Sequence, residues 1–276
     1  MVRFNPSMWL VALGLTAVQA TQFWQNTGTK SGWDTFTHEH KGTVDEVKDN
    51  VYKGSTALRM TQIHDAGYSG RYHSEAVKYN VYRKGDSGFY GFVFRLQPDW
   101  QFNPAQEFNL AQFIADFSDL KCGEDYMPST MVWIVGDQLA TRVKYGNVCP
   151  TKDQKIKEFK NLKKVTAGAW HRVEIQASWK SDNTGFFKLW FDGEKVVESY
   201  NLPTTVGDGR YFQFRVGLYA NGWHDHGYEG SQGTRQVWYD QIAAGSEFKD
   251  ADPGQWTASA DSYSMRFQDA GAYEDL

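Results

Sequence analysis

Residues 170–200 read WHRVEIQASWKSDNTGFFKLWFDGEKVVESY, and this stretch decides the fold. From Trp170 to Trp179 the chain alternates. His171, Val173, Ile175 and Ala177 fall on one side, and Arg172, Glu174 and Gln176 on the other, the two-residue period of a half-buried strand. Ser181-Asp182-Asn183-Thr184-Gly185 turns the chain into a second strand at 186–191. Asp192-Gly193 then makes the tight turn that closes an antiparallel hairpin, with its second arm at 194–200.

Working outward, 89–96 reads as a buried strand, and 129–135 and 138–145 are joined by a turn at Gly136-Asp137. Further strands are expected at 211–219 and 235–243. Helix character is confined to the Lys-rich stretch 153–164, between Pro150 and Gly168, which reads equally as a solvated loop. Many strands, long connections and no βαβ rhythm predict an all-β fold, a β-jelly-roll sandwich of two antiparallel sheets with a concave groove. No Pro/Ser/Gly linker divides the chain, so 21–276 is one domain, with 246–276 as a peripheral arm.

Residues 1–20 read as a secretory leader: Arg3, an apolar run from Met8 to Val18, and small residues at Val18 and Ala20 before the cut. The run is too short to span a membrane comfortably. An exported, extracellular protein without a membrane anchor is expected. In that oxidising setting Cys122 and Cys149 pair by default, a bond worth roughly 2–4 kcal/mol. The formal charge of -4 argues against a nucleic-acid partner, whose binding leans on basic surface. It leaves room for a local basic groove. The 11 Trp, 15 Tyr and 18 Phe exceed what a core demands and suit sugar binding.

Chemistry gathers in a few segments. In Gly70-Arg71-Tyr72-His73-Ser74-Glu75, an extended backbone puts Arg71, His73 and Glu75 on one face. In 213–219, Arg215 and Tyr219 face one way and Phe214, Val216 and Leu218 the other. Gln112 interrupts the apolar run Leu110-Ala111-Gln112-Phe113-Ile114 and must find partners. Asn221 and Trp223 follow a strand end, where binding loops gather. His224 and His226 lack a third metal ligand at clear spacing. Arg142 and Lys144 share a face, as do Lys188 and Trp190, and on a concave sheet these cations would attract carboxylates. Such a set suits β-elimination from a uronate. Removal of the C5 proton loads charge onto the carboxylate, which an amide, imidazole or guanidinium must stabilise. A base must reach C5, and a donor must serve the departing O4.

The chain resembles the fungal glucuronan lyases of polysaccharide lyase family 20 over most of its length after the leader. The likeness rests on Gly70-Arg-Tyr-His-Ser-Glu75, Asn109-Leu-Ala-Gln-Phe113, Trp170-His-Arg-Val-Glu174 and Phe214-Arg-Val-Gly-Leu-Tyr-Ala-Asn-Gly-Trp223. That resemblance implies a jelly roll that cleaves β-1,4-polyglucuronate internally and leaves a 4,5-unsaturated uronyl end. It implies His73, Gln112 and Tyr219 as the active site, with Tyr219 as base and acid and the other two on the carboxylate. Arg71 and Arg215 are added here from facing and charge. The resemblance also implies a structural calcium ion away from the cleft, with Asp240 and, less directly, Glu39 as oxygen ligands. No organic cofactor is expected, the partner is an acidic polysaccharide, and a monomer is expected.

Three other readings are open. A hydrolase needs paired carboxylates across the scissile bond. The Glu-x-Asp-x-Glu triplet of laminarinase-like sandwiches is absent, although Glu75, Glu174 and Asp225 are present. A carbohydrate-binding protein would keep the aromatic rings but not need Tyr, His and Gln together. An alginate or other uronan lyase would differ only in groove contacts.

Overall fold

In the computed structural model, which describes residues 22–252, alternation produces strands throughout. In chain order they begin with β1 (Gln22–Asn26), β2 (Thr35–His38), β3 (Thr43–Val47), β4 (Ala57–Ile63) and β5 (His73–Tyr82). There follow β6 (Ser87–Leu96), β7 (Glu107–Asp116), β8 (Tyr126–Val135), β9 (Gln138–Tyr145) and β10 (Lys155–Phe159). The last are β11 (Trp170–Ser178), β12 (Phe186–Phe191), β13 (Glu194–Tyr200), β14 (Phe212–Tyr219) and β15 (Thr234–Gly245). Two short helices, α1 (Asn221–Asp225) and α2 (Phe248–Ala251), flank β15. The leader 1–20 and all but the start of the 246–276 arm lie outside the described residues.

Two antiparallel sheets form the sandwich. An eight-stranded sheet runs β13-β12-β11-β6-β15-β4-β3, with β1 also on β15, and a seven-stranded sheet runs β10-β9-β8-β7-β14-β5-β2. The expected jelly roll is therefore observed, and the opening hairpin is β12–β13. Asp192 and Gly193 both take positive φ, 51° and 84°, the left-handed pair that a two-residue turn matched to strand twist requires.

The inward faces meet in a core rich in rings. Phe92, Val173, Ile175 and Leu189 from one sheet meet Phe113, Phe214, Val216 and Leu218 from the other, all buried. Phe113 and Phe214 stack at 4.8 Å, and Tyr82 and Trp179 at 3.9 Å. Tyr239 on β15 donates to the carbonyls of Leu110 and Gly217 across the sandwich, so its buried hydroxyl is satisfied. These contacts consume alternate residues of β7 and β14, which leaves the other residues to face outward on the seven-stranded sheet.

The helix character expected at 153–164 is corrected: 155–159 is β10, paired with 141–145 of β9. Lys155, Ile156, Lys157 and Glu158 are exposed, as suits an edge strand whose charges discourage further pairing. The expected disulfide is present, joining Cys122 to Cys149 with Cα atoms 5.8 Å apart.

Candidate active site

The outward face of the seven-stranded sheet carries a groove of about 880 Å³, lined from Thr37 on β2 to Glu158 on β10. Strand register assembles its centre. Tyr219 on β14 lies opposite His73 on β5, and Arg215 on β14 lies between Val77 on β5 and Gln112 on β7. Gly217 sits between these two rows, opposite Glu75. A Cβ there would come within 2.9 Å of the Glu75 side chain and closer still to the Ser74 carbonyl, so glycine makes space for that carboxylate.

Glu75 is the hub. It is only 2% exposed. One oxygen accepts from Gln112 Nε2 at 2.5 Å, and the other accepts from Arg215 Nη1 at 3.3 Å and lies 3.8 Å from His73 Nδ1. The other ring nitrogen, His73 Nε2, lies 3.0 Å from Glu39, whose second oxygen accepts from the Tyr68 hydroxyl at 2.7 Å. Carboxylates thus flank both ring nitrogens and fix the imidazole. Arg215 is further held by Gln213 at 2.7 and 3.0 Å and lies under the exposed ring of Tyr126.

Tyr219 ends β14 with its hydroxyl in the groove, where Arg71 donates to it, and Asp225 of α1 accepts from Arg71 at 3.4 Å. Burial pushes the Tyr219 phenol up to about 12, with the Arg71 hydrogen bond and charge pulling against it. Tyr219 is therefore a neutral phenol at rest. Elsewhere in the groove, Lys144 pairs with Glu124 at 3.0 Å, and Asn221, at the start of α1, donates to Glu107 at 3.3 Å.

Of the residues expected at the site, His73, Gln112, Tyr219, Arg71, Arg215, Arg142, Lys144 and Asn221 all line this groove. Two expectations are corrected. Lys188 is on β12 of the other sheet, paired with Glu198 at 3.6 Å and stacked near Tyr200. Alternation had shown its face but not its sheet. Trp223 is buried behind the groove among Tyr72, Phe108 and Tyr228, and donates to Gln106, so it supports α1 and offers no platform to a sugar.

Glu39 and Asp240 do not converge on one cation. Glu39 belongs to the groove. Asp240 is in the eight-stranded sheet, where one oxygen accepts from the backbone N–H groups of Tyr52 and Lys53, each at 3.0 Å, and the other from Gln241. Among the described residues no group of three or more His, Cys, Asp or Glu side chains gathers to hold a metal. Glu39, in the groove, and Asp240, on the other sheet, are therefore not ligands of one ion. Glu39 was missed as a groove residue because its partner, His73, is 34 positions away in sequence.

A jelly roll whose concave sheet presents a phenol, an amide, an imidazole and several guanidinium groups defines a protein that works on an acidic sugar polymer. A family model described as polysaccharide lyase matches residues 25–243, and the chain belongs to that family. It is an enzyme, a polysaccharide lyase. It is similar to the endo-β-1,4-glucuronan lyase of the fungus Trichoderma reesei, at 53% identity over 86% of this chain and 100% of that one, with a TM-score of 0.83. Two alginate lyases share the fold alone. The family 14 enzyme of Aplysia kurodai is 8% identical with a TM-score of 0.52, covering 82% of this chain and 99% of its own. The Chlorella virus enzyme vAL-1 is 11% identical with a TM-score of 0.53, covering 78% and 93%. None of the curated protein sequences compared with it is a match. Among the described residues no helix is long and apolar enough to cross a membrane.

Proposed function

We propose that this protein is an endo-acting β-1,4-glucuronan lyase in which Tyr219 moves the protons and Gln112, His73 and Arg215 serve the uronate carboxylate. The observation that carries the reading is the register that sets Tyr219 beside His73 and Arg215 beside Gln112 in one groove. In a glucuronate ring the C5 hydrogen and the C4 oxygen leave from the same face, so one residue can serve both. Once the phenol has released its own proton to solvent, the Tyr219 phenolate takes the C5 proton, and the electron pair of that bond spreads into the carboxylate. The pair then forms the C4–C5 double bond as the C4–O4 bond breaks. Tyr219 gives its new proton to O4 and returns to the phenolate.

His73 is poorly placed as the base, because its Nδ1 is buried toward Glu75 and its Nε2 faces Glu39. Arg71, donating to the Tyr219 oxygen, is the group that lowers the cost of the phenolate. Gln112, held at one amide hydrogen by Glu75, keeps the other for the substrate carboxylate. Arg71, Arg215, Arg142, Lys144 and Asn221 hold the polymer along the groove. A groove crossing the whole sheet accepts the interior of a chain, which supports internal cleavage. The leader-like residues 1–20 and the Cys122–Cys149 disulfide support action outside the cell.

The test is incubation of the purified protein with glucuronan and with alginate while following the ultraviolet absorbance of a 4,5-unsaturated uronate. A rise on glucuronan with an early fall in viscosity is expected. A folded protein that raises absorbance on no uronan defeats the proposal.

A further inference from the structure

The cations of the groove are not equivalent. Arg71 is engaged by Tyr219 and Asp225, Arg215 by Glu75 and Gln213, and Lys144 by Glu124. Among the described residues, Arg142 alone of the groove's four Arg and Lys side chains has no hydrogen bond or ion pair, and its Nε is buried without a partner. A guanidinium stays charged in a protein, and a charge withdrawn from water without a partner is costly. Burial disfavours its charge here, and Glu124, Glu158 (opposite it in the β9–β10 register) and Glu107 favour it without bonding to it. With none of these carboxylates bonded to it, the guanidinium keeps its donors for an anion from outside the protein.

Its position relative to the reacting centre is set by register. Gln112 on β7 faces Met131 on β8, and Met131 faces Arg142 on β9. Arg142 therefore lies two strand spacings, about 10 Å, from Gln112 along the groove. Met131 and Trp133 pack with Ala140 into a small apolar cluster between them, a floor suited to the C–H face of a sugar ring. In a β-1,4-linked chain successive rings turn over, so carboxylates on one side recur at every second residue, a repeat comparable with this span.

We propose that Arg142 forms a second carboxylate subsite, which takes the uronate two rings from the one at Gln112 and thereby selects extended polyuronate over short oligomers. This rests on the glucuronan lyase reading and adds to it a distance-coded requirement for a second acid group.

The experiment measures kcat/KM on glucuronan fractions of defined length for the wild type, Arg142→Met, Arg142→Lys and the charge control Lys195→Ala. Lys195 is on β13 of the other sheet and pairs with Glu198. Arg142→Met should lose about 10-fold or more on long chains, the loss of a charged hydrogen bond. The loss should appear in KM and shrink on the shortest cleavable oligomers. Arg142→Lys should recover part of it, and Lys195→Ala should match the wild type. Thermal unfolding of each variant confirms folding. An Arg142→Met enzyme equal to the wild type at every length overturns the subsite, as does a loss independent of length. If the wild type yields no unsaturated product, the lyase reading fails by itself. Calorimetric binding of the same oligomers to wild type and Arg142→Met then decides the subsite without turnover.

Discussion

Replacing Glu75 with glutamine tests whether the carboxylate hub organises the catalytic face. The carboxylate offers two acceptor oxygens, one for Gln112 and one for Arg215. An amide of the same shape offers one, so one of the two donors must face an NH2 group. At 2% exposure, water cannot repair the mismatch. Losing a hydrogen bond to a charged group costs about 1.5–3 kcal/mol, and a buried unsatisfied donor adds a further 1–3 kcal/mol. A net loss of about 3 kcal/mol corresponds to a fall in Tm of roughly 6–12 °C for a domain of this size. Because the Gln112 amide loses its anchor, kcat should also fall by about 10- to 100-fold, as expected when an oxyanion donor is misplaced. Circular dichroism melts and initial rates on glucuronan measure both. A Tm within about 2 °C of wild type together with undiminished kcat would refute the reasoning about the hub.

Other perturbations read other parts of the account. Arg71→Met removes the donor to Tyr219, so kcat should fall and the pH–rate profile should move to higher pH; an unmoved profile removes Arg71 from that role. Glu174, buried beside Arg172 and Asp252, has its carboxyl pushed by burial from the ordinary 4.5 to about 8. The folded state then keeps a proton that the unfolded chain releases between those values. Stability should therefore decline as pH rises from about 4.5 to about 8, by about 5 kcal/mol at most, and level off above. Glu174→Gln should flatten that slope in urea titrations, and an identical slope would contradict the assignment. Trp223→Leu should lower Tm through lost packing behind α1, by the 3–5 kcal/mol typical of a truncated buried ring or somewhat less, with KM little changed. A large rise in KM at constant Tm would restore Trp223 as a sugar platform.

Local alternation was enough to read most of this molecule. It gave the β12–β13 hairpin, the core faces of β11 and β14, and the shared face of Arg71, His73 and Glu75, because side-chain direction follows from the two-residue period alone. What it lacks is the identity of the sheet. Lys188 alternates as cleanly as Arg142, yet one faces outward from β12 and the other lines the groove from β9. Strand order is a global property, set by which faces can be buried together, and no single strand encodes it. The same limit hid Glu39, which reaches His73 through the β2–β5 pairing. It also hid the burial of Trp223, which depends on rings contributed by β5 and β7 neighbours. The Lys-rich β10 was obscured differently: an exposed edge strand has little apolar pattern, and only its pairing with β9 reveals it.

The central claim is that the groove cleaves glucuronan by elimination, with Tyr219 carrying the proton. The most direct measurement is mass spectrometry of the products of exhaustive digestion by the wild type and by Tyr219→Phe, with melts confirming that both are folded. The account predicts that every wild-type cut yields an oligomer lighter by one water than the hydrolytic product, and that Tyr219→Phe yields almost none. Products of full hydrolytic mass, or undiminished cleavage by Tyr219→Phe, would contradict it.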